Sequence, residues 1–241
     1  MTAEPEFRPL GVDGVLVRFS RVLTEAANIR AVSFRDQFAG ANVPGVTEVA
    51  SSLASVRVGF DPVRTDRKAV TQAIMSFLAD HETPVSSPRR LWRIPVCFDG
   101  DHAPQLAEAA RLAGVTVDQA IAEITAQTTR VIAIGFAPGQ PYLGMLPDHW
   151  DIPRQSTLTE TLPRGALIAA VRQLIIWAAD APTGWRHIGQ TAFRVYRPET
   201  AEPFAFRPGD AVQFHAISAT DYAALSTNTD PDGGAVCEVL R

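Results

Sequence analysis

From Gly135 onward, proline and glycine punctuate a series of short apolar runs, at Pro138-Gly139, Pro163-Arg164-Gly165, Pro182-Thr183-Gly184 and Pro208-Gly209-Asp210. Proline removes a backbone donor and glycine tolerates left-handed backbone, so this texture predicts short strands joined by tight turns: a β-barrel or sandwich. The run Ala211-Val212-Gln213-Phe214-His215-Ala216-Ile217 follows the last of these turns and alternates as a half-buried strand should. The closing segment, with Asp230-Pro231-Asp232-Gly233-Gly234, reads as a mobile loop before a short strand, Ala235 to Leu240.

The residues before Gly135 read differently. Val15, Val17 and Phe19 alternate after an Asp13-Gly14 turn, which predicts a strand. Leu23, Ala27, Ala31, Phe34 and Phe38 then recur at helical spacing between Val22 and Ala39, and Gly40 is placed to stop that helix. Strands are expected near Val46–Ala50 and Ser55–Phe60. Asp66 can cap a second helix that buries Val70, Ile74, Phe77 and Leu78. A polar loop from His81 to Arg90 leads to a further strand, Leu91 to Phe98. The order is β-α-β-β-α-β, the split βαβ arrangement of ferredoxin-like domains. Two short helices follow, one from Pro104 to Gly114 and one opened by the capping box Thr116-Val117-Asp118-Gln119, and then a strand, Thr129 to Phe136. The expected class is therefore α+β. Residues 1–98 form a ferredoxin-like domain, 99–134 a helical connection with the first barrel strand, and 135–241 a β-barrel domain with a C-terminal tail.

Composition narrows the function classes. The formal charge is −4 and 46% of the chain is hydrophobic, so no domain-scale basic face is available to grip phosphates and no nucleic-acid partner is expected. The densest basic run, Arg89, Arg90 and Arg93, reads as a solvated loop. Cys97 and Cys237 are too few for a disulfide framework. The N-terminus lacks the basic start and apolar core of a signal peptide. The longest apolar stretch, Ala166 to Ala179, is interrupted by Arg172 and Gln173 and falls short of the roughly 20 residues of a membrane helix. A soluble, cytoplasmic chain is expected. Asp99-Gly100-Asp101-His102 and Asp148-His149-Trp150-Asp151 offer metal-ligand types, but in turns such residues usually satisfy nearby backbone groups, so no metal is expected.

The informative stretch is Gly135-Phe136-Ala137-Pro138-Gly139-Gln140-Pro141-Tyr142-Leu143-Gly144. Its glycines permit close backbone approach and its prolines fix the loop before a ligand arrives, so it can present N–H donors to a carboxylate or oxyanion. A structural junction between domains explains the same residues equally well.

This stretch resembles the signature of the family of allophanate hydrolase subunit 1, also known as the B subunit of 5-oxoprolinase, which includes a sporulation-kinase inhibitor. Supporting segments run in the family's order: Phe60-Asp61-Pro62, Ile94-Pro95-Val96-Cys97-Phe98, Gly184-Trp185 with Ile188-Gly189 and Thr191, and Pro208-Gly209-Asp210 with Val212 and Phe214. The resemblance spans about residues 10 to 217 and implies a ferredoxin-like N-terminal domain followed by a cyclophilin-like β-barrel. It also implies a homologous second subunit, of the allophanate hydrolase subunit 2 or 5-oxoprolinase C type. The chemistry it implies acts on a small amide, lactam or urea-type substrate, by ATP-dependent opening of 5-oxoproline or by carboxyl transfer as in urea carboxylase. ATP then belongs to the complex, and this chain alone binds no cofactor.

The chain departs from the family pattern where ligand chemistry is expected. Gln140 replaces a usual Phe and Thr125 a common His. Leu158-Thr159-Glu160-Thr161 and Pro163-Arg164-Gly165-Ala166 replace an Arg-rich and a Ser-containing element. Val171 to Ala178 replaces a run of small polar residues, keeping Gln173. Losing an Arg from an anion site removes charge-assisted hydrogen bonds of about 1.5–3 kcal/mol each, so a different substrate from that of typical members is expected. The expected binding residues for the amide, lactam or carboxylate ligand are Phe136, Pro138, Gly139, Gln140, Tyr142, Arg172, Gln173 and Trp185, with Trp185 and Tyr142 also readable as barrel core, the reading favoured for Trp185. None is a convincing nucleophile or general base, so catalytic residues stay unassigned. The alternative is a regulatory binding protein like the kinase-inhibitor member.

Overall fold

The computed structural model describes residues 4–80 and 90–240, and the chain divides into two compact units, 1–87 and 88–241. The expected loop from His81 lies outside the described residues, except for Arg90.

The first unit contains β1 (Glu6–Leu10), β2 (Gly14–Arg18), α1 (Glu25–Gly40), β3 (Val46–Ser52), β4 (Ser55–Phe60) and α2 (Arg67–Asp80). The strands form an antiparallel sheet in the order β1-β2-β4-β3. Both helices start where a side chain can cap them: Thr24 accepts from the Ala27 N–H at 3.2 Å and Asp66 from the Ala69 N–H at 2.8 Å. Phe34, Phe38, Val70 and Ile74 pack on the sheet face that carries Val15, Val17, Val56 and Val58. The β-α-β-β-α run is thus as expected, but its closing strand comes from the other end of the sequence. β1 occupies the edge beside β2, where Pro9 is tolerated because an edge strand need not donate on both sides. Phe7 packs on the core, and Glu6 pairs with Arg18 and Arg21, each at 2.7 Å.

The second unit contains β5 (Arg90–Cys97), α3 (Leu106–Ala113), α4 (Val117–Ala126), β6 (Thr128–Ile134), β7 (Pro141–Gly144), β8 (Thr159–Leu162), β9 (Ala166–Ala170) and β10 (Gln173–Ile176). It continues with β11 (Ala181–Thr183), β12 (Arg186–Gln190), β13 (Ala211–Ile217), α5 (Ala219–Ser226) and β14 (Val236–Val239). The order β12-β9-β10-β7-β6-β13-β5 closes on itself where Gln190 of β12 pairs with Cys97 of β5, which makes a seven-stranded mixed barrel. β14 adds to β5 outside that ring, and β8 pairs with β11 in a separate ribbon. The α+β architecture, an N-terminal sheet with helices and then a β-barrel, is the one expected from the sequence.

Three assignments change. The strand expected to close the N-terminal sheet, Leu91 to Phe98, is β5 of the barrel, so the units part before residue 90 rather than at 98 or 135. Its neighbours explain this: it pairs in parallel with β13 from Leu91↔Ala211 to Cys97↔Ile217, and this long-range register is invisible in its own alternation. The apolar stretch Ala166 to Ala179 holds the β9–β10 hairpin. The region after Ile217 begins with α5, capped by Ser218, whose hydroxyl accepts from the Asp221 N–H at 3.1 Å. α5 buries no residue, so no apolar stripe announced it. The following loop, expected to be mobile, is held back on the barrel: the Arg194 N–H donates to Pro231 O at 3.0 Å and Arg197 pairs with Asp232 at 2.7 Å.

The Pro208-Gly209-Asp210 turn fixes where the parallel pair begins. Asp210, 5% exposed at its side chain, accepts from the Arg207 N–H at 2.8 Å and takes both ends of the Arg90 guanidinium, Nε at 3.0 Å. Arg90 also donates to Ala205 O at 3.1 Å. Arg90 is therefore not part of a solvated basic loop but half of a buried ion pair between the starts of β5 and β13. Removing one partner of such a pair leaves a buried charge unmatched, so Asp210→Ala is expected to destabilise the barrel by about 3–5 kcal/mol in urea unfolding. A loss below about 1 kcal/mol would show that the pair does not hold the seam.

Candidate functional site

β9 and β10 are buried on both faces, and alternation sends successive residues to two different cores. Leu167, Ala169, Leu174 and Ile176 join the main barrel core, whereas Ala166, Ile168, Ala170, Ile175 and Trp177 join a smaller cluster with Leu162 and Trp185. Tyr142 of β7 stands opposite Ile175 in the register and packs on this second cluster, with its ring edge-on to Trp185 at 6.2 Å. The second cluster is thus an aromatic wall on one side of the β7-β10-β9 surface.

The loop between β6 and β7 runs along this wall. Phe136 has φ 73, a conformation rare for a bulky residue, and its ring is exposed while lying 5.5 Å from Trp177. Gly139 (φ 72) has no room for a side chain, because a Cβ there would meet Val195 O at 2.7 Å. The loop is closed by hydrogen bonds from the Gly135 N–H to Gln140 O (3.0 Å) and from the Gln140 N–H to Ala137 O (3.1 Å). Gln140 is only 1% exposed. Its Oε1 accepts from the Ala178 N–H at 3.4 Å, which leaves the Nε2 donor buried without an acceptor in the protein. The indole Nε1 of Trp177, next in the chain to Ala178, is in the same condition.

The structure brings Phe136 and Tyr142 onto this wall together with Trp185, sets Gly139 against Val195 and Gln140 against Ala178, and leaves Pro138 exposed at the loop tip. Trp185, 5% exposed, is part of the packed cluster. Gln155 donates to its carbonyl at 2.9 Å and the Arg154 guanidinium lies 5.3 Å from its ring. Arg172 and Gln173 sit instead at the tip of the β9–β10 hairpin. Val171 (φ 45) and Arg172 (φ 62) form its two-residue turn, in a left-handed conformation usually supplied by Asn-Gly. Arg172 Nε donates to Leu146 O at 2.9 Å and Nη1 meets Asp148 at 2.7 Å, so its guanidinium is engaged by the 146–148 segment. Trp177 is a wall residue that the sequence does not single out. It is legible there only as one bulky residue in an apolar run, because the turn that splits the run carries no Gly, Asn or Pro.

The other polar clusters are engaged locally. Glu123 takes hydrogen bonds from His149 (2.8 Å) and Trp150 Nε1 (2.7 Å) on one oxygen; partial burial raises its pKa, but these bonds leave it below the usual carboxylate range. The His102 ring lies against Tyr222, tilted, with centroids 4.5 Å apart. Among the described residues, no three His, Cys, Asp or Glu side chains converge to hold a metal, and no helix is long and apolar enough to cross a membrane. His187 is buried with Nε2 lacking a partner, and burial pushes its imidazole below the usual 6.5.

Residues 5–206 match the family described as carboxyltransferase domain, subdomain C and D. The chain is similar to the B subunit of 5-oxoprolinase from Bacillus subtilis (strain 168), 28% identical over 244 residues that cover 95% of this chain and 100% of that protein. It is 34% identical over 125 residues to the B subunit of 5-oxoprolinase from Escherichia coli O157:H7, covering 52% of this chain and 57% of that one. The structure of Kluyveromyces lactis urea carboxylase shares the fold, with a TM-score of 0.76 at 14% identity over 98% of this chain and 24% of that much longer one.

Two outcomes separate surface from core at this site. Trp185→Ala is expected to lower stability by about 3–5 kcal/mol, whereas Phe136→Ala should stay within roughly 1 kcal/mol of wild type in denaturant unfolding. Equal losses would mean that Phe136 is a packing residue. For His187, the unfolded chain binds the proton more readily than the folded one. Its contribution is therefore present above pH 6.5 and lost as pH falls through the lower folded value. The drop in melting temperature from about pH 7 to about pH 5 should be smaller in His187→Phe than in wild type; parallel curves would rule His187 out as a source.

Proposed function

The chain belongs to the carboxyltransferase domain family, subdomains C and D, and from that premise we propose that it is the B-type subunit of a 5-oxoprolinase-like hetero-oligomer. The substrate is a small amide, lactam or urea-type molecule, bound at the loop and aromatic wall described above, and the partner is a homologous second subunit of the C type. The likeness to two proteins named as B subunits of 5-oxoprolinase supports the assignment of the complex. ATP is used by the complex, which works in the cytoplasm.

The observation that carries the ligand class is the pair of buried donors without acceptors, Gln140 Nε2 and Trp177 Nε1. A buried donor left unpaired costs about 1–3 kcal/mol, so a ligand carbonyl that reached either one as the loop shifts to admit it would offset that cost. Gln140 supplies a donor where the family pattern carries Phe, which supports a substrate with an additional acceptor group relative to typical members. Phe136, Tyr142 and the Trp177 ring give shape. The loop offers no carboxylate, imidazole or thiol, so its work is to bind and orient, and groups that move protons come from the second subunit.

Co-expression with the homologous second subunit should yield a stable complex with ATP-dependent hydrolase activity on a 5-oxoproline-type lactam. Gln140→Leu removes the Nε2 donor and also the Oε1 acceptor of the Ala178 N–H. It should lower stability by about 1–3 kcal/mol while the chain stays folded, and lower kcat/KM about tenfold, the equivalent of one lost hydrogen bond of about 1.4 kcal/mol. Full activity in that variant would place the substrate elsewhere. Recovery with a histidine kinase, and no activity with the second subunit, would favour the regulatory binding protein.

A further inference from the structure

Away from the 135–144 loop, the barrel carries a second concavity that the proposed substrate site does not use. A cleft of about 370 Å³ is bounded by Arg164 and Gly165, by the 191–194 segment, and by α5 with the loop that follows it. That volume lies within the range of small-molecule sites. Its walls are fixed before any ligand arrives. Gly165 (φ 83) presses so closely on Thr191 that a Cβ would lie 2.2 Å from the Thr191 carbonyl oxygen, and the Thr191 N–H donates to Gly165 O at 2.9 Å. On the other wall, Gly233 packs against Ala192, while Pro231 and Asp232 are tied to Arg194 and Arg197.

The lining sorts into three kinds. Leu225 and Tyr222 supply an apolar surface. The free polar groups on one side are cationic: Arg164 uses its backbone N–H on Asp180 and its carbonyl on Gln190, leaving its guanidinium without a side-chain partner among the described residues. Arg194 pairs through Nη1 with Glu199 while its buried Nε–H has no acceptor. Glu199 is held below the usual carboxylate range by a backbone N–H, by Arg194 and by the charge of Arg164. It pairs with Arg194, whereas no carboxylate of the described residues lies within ion-pair distance of the Arg164 guanidinium. The acidic group of the cleft is Asp230, whose Oδ1 accepts from the Asp232 N–H at 2.9 Å and which has no cationic partner among the described residues.

One uncompensated cation, one uncompensated anion and an apolar surface match a small zwitterion. We propose that this cleft binds a free α-amino acid with an apolar side chain, its carboxylate on the Arg164 guanidinium, its ammonium on Asp230, and its side chain against Tyr222 and Leu225. Charge-assisted hydrogen bonds at both ends then select the amino acid over molecules that keep only one of its charges.

The full chain, titrated with leucine and followed by nitrogen-detected NMR of the arginine side chains and by melting temperature, tests this. Leucine should bind and shift the Arg164 Nε signal. 4-Methylpentanoate, which lacks the ammonium, and 3-methylbutylamine, which lacks the carboxylate, should bind about tenfold more weakly or worse. Arg164→Ala, at an exposed side chain, and Asp230→Asn, which keeps the turn's acceptor, should each weaken leucine about tenfold while leaving the melting temperature of the free chain unchanged. The proposal is overturned if leucine fails to bind at about 20 mM, a concentration that would detect even a millimolar site. Equal binding of either one-charge probe, or wild-type affinity in either variant, would overturn it too. These titrations need no second subunit, so their result is independent of whether the chain assembles into a hydrolase.

Discussion

The ion pair between Arg90 and Asp210 is the constraint on which the barrel depends. β5 and β13 are separated by more than a hundred residues and run parallel, so no hairpin can set their register. The clamp does this at their first residues. Asp210 is held in place by the Arg207 N–H of its own turn and draws Arg90 against it, so that Leu91 meets Ala211 and the ladder continues to Cys97 and Ile217. At the far end of the same strand, Cys97 meets Gln190 and closes the ring. A shift of one residue along β5 would turn Trp92, Ile94, Val96 and Phe98 out of the core. The Pro-Gly-Asp motif is therefore a registration device.

Closing the barrel through β5 leaves β9 and β10 buried on both faces, and the aromatic wall follows from this. The hairpin joining them is held against its own preference. Two non-glycine residues in left-handed backbone cost about 1–2 kcal/mol each. Offsetting them, the Val171 N–H donates to Ile152 O, the Arg172 N–H to Trp150 O, and the Leu146 N–H to Arg172 O, and the Arg172 side chain adds its contacts to Leu146 and Asp148. At about 0.5–1.5 kcal/mol per hydrogen bond these are of the same size as the strain. Arg172, which a sequence reading places in the ligand pocket, is better understood as the lock on this turn, and the wall is left to uncharged donors and rings.

Much of the chain is legible from local chemistry. The caps at Asp66, Thr116 and Gly114, the helical faces of Ala27 to Phe38 and of Val70 to Ile74, and the alternation of β13 all fall where periodicity and capping put them. Of the proposed site, the residue pattern marks the loop from Gly135 to Gly144, because prolines fix its backbone and Gly139 leaves no room for a side chain against Val195. Trp177 stays hidden, since its partner Phe136 is about forty residues away and nothing in a continuous apolar run says which face each residue takes.

Residue order alone is enough to specify the kind of each element: strands where apolar residues alternate, helices where they recur every three or four, turns where proline and glycine fall. Which sheet each strand joins is settled only when the chain is folded. β5 alternates as well as any strand of the N-terminal sheet, yet it belongs to the barrel, while the unremarked Glu6–Leu10 segment supplies the missing edge. The physical reason is that alternation encodes only which face of a strand is apolar. Strand partners are chosen by long-range contacts, here a buried guanidinium and carboxylate that meet across more than a hundred residues of chain.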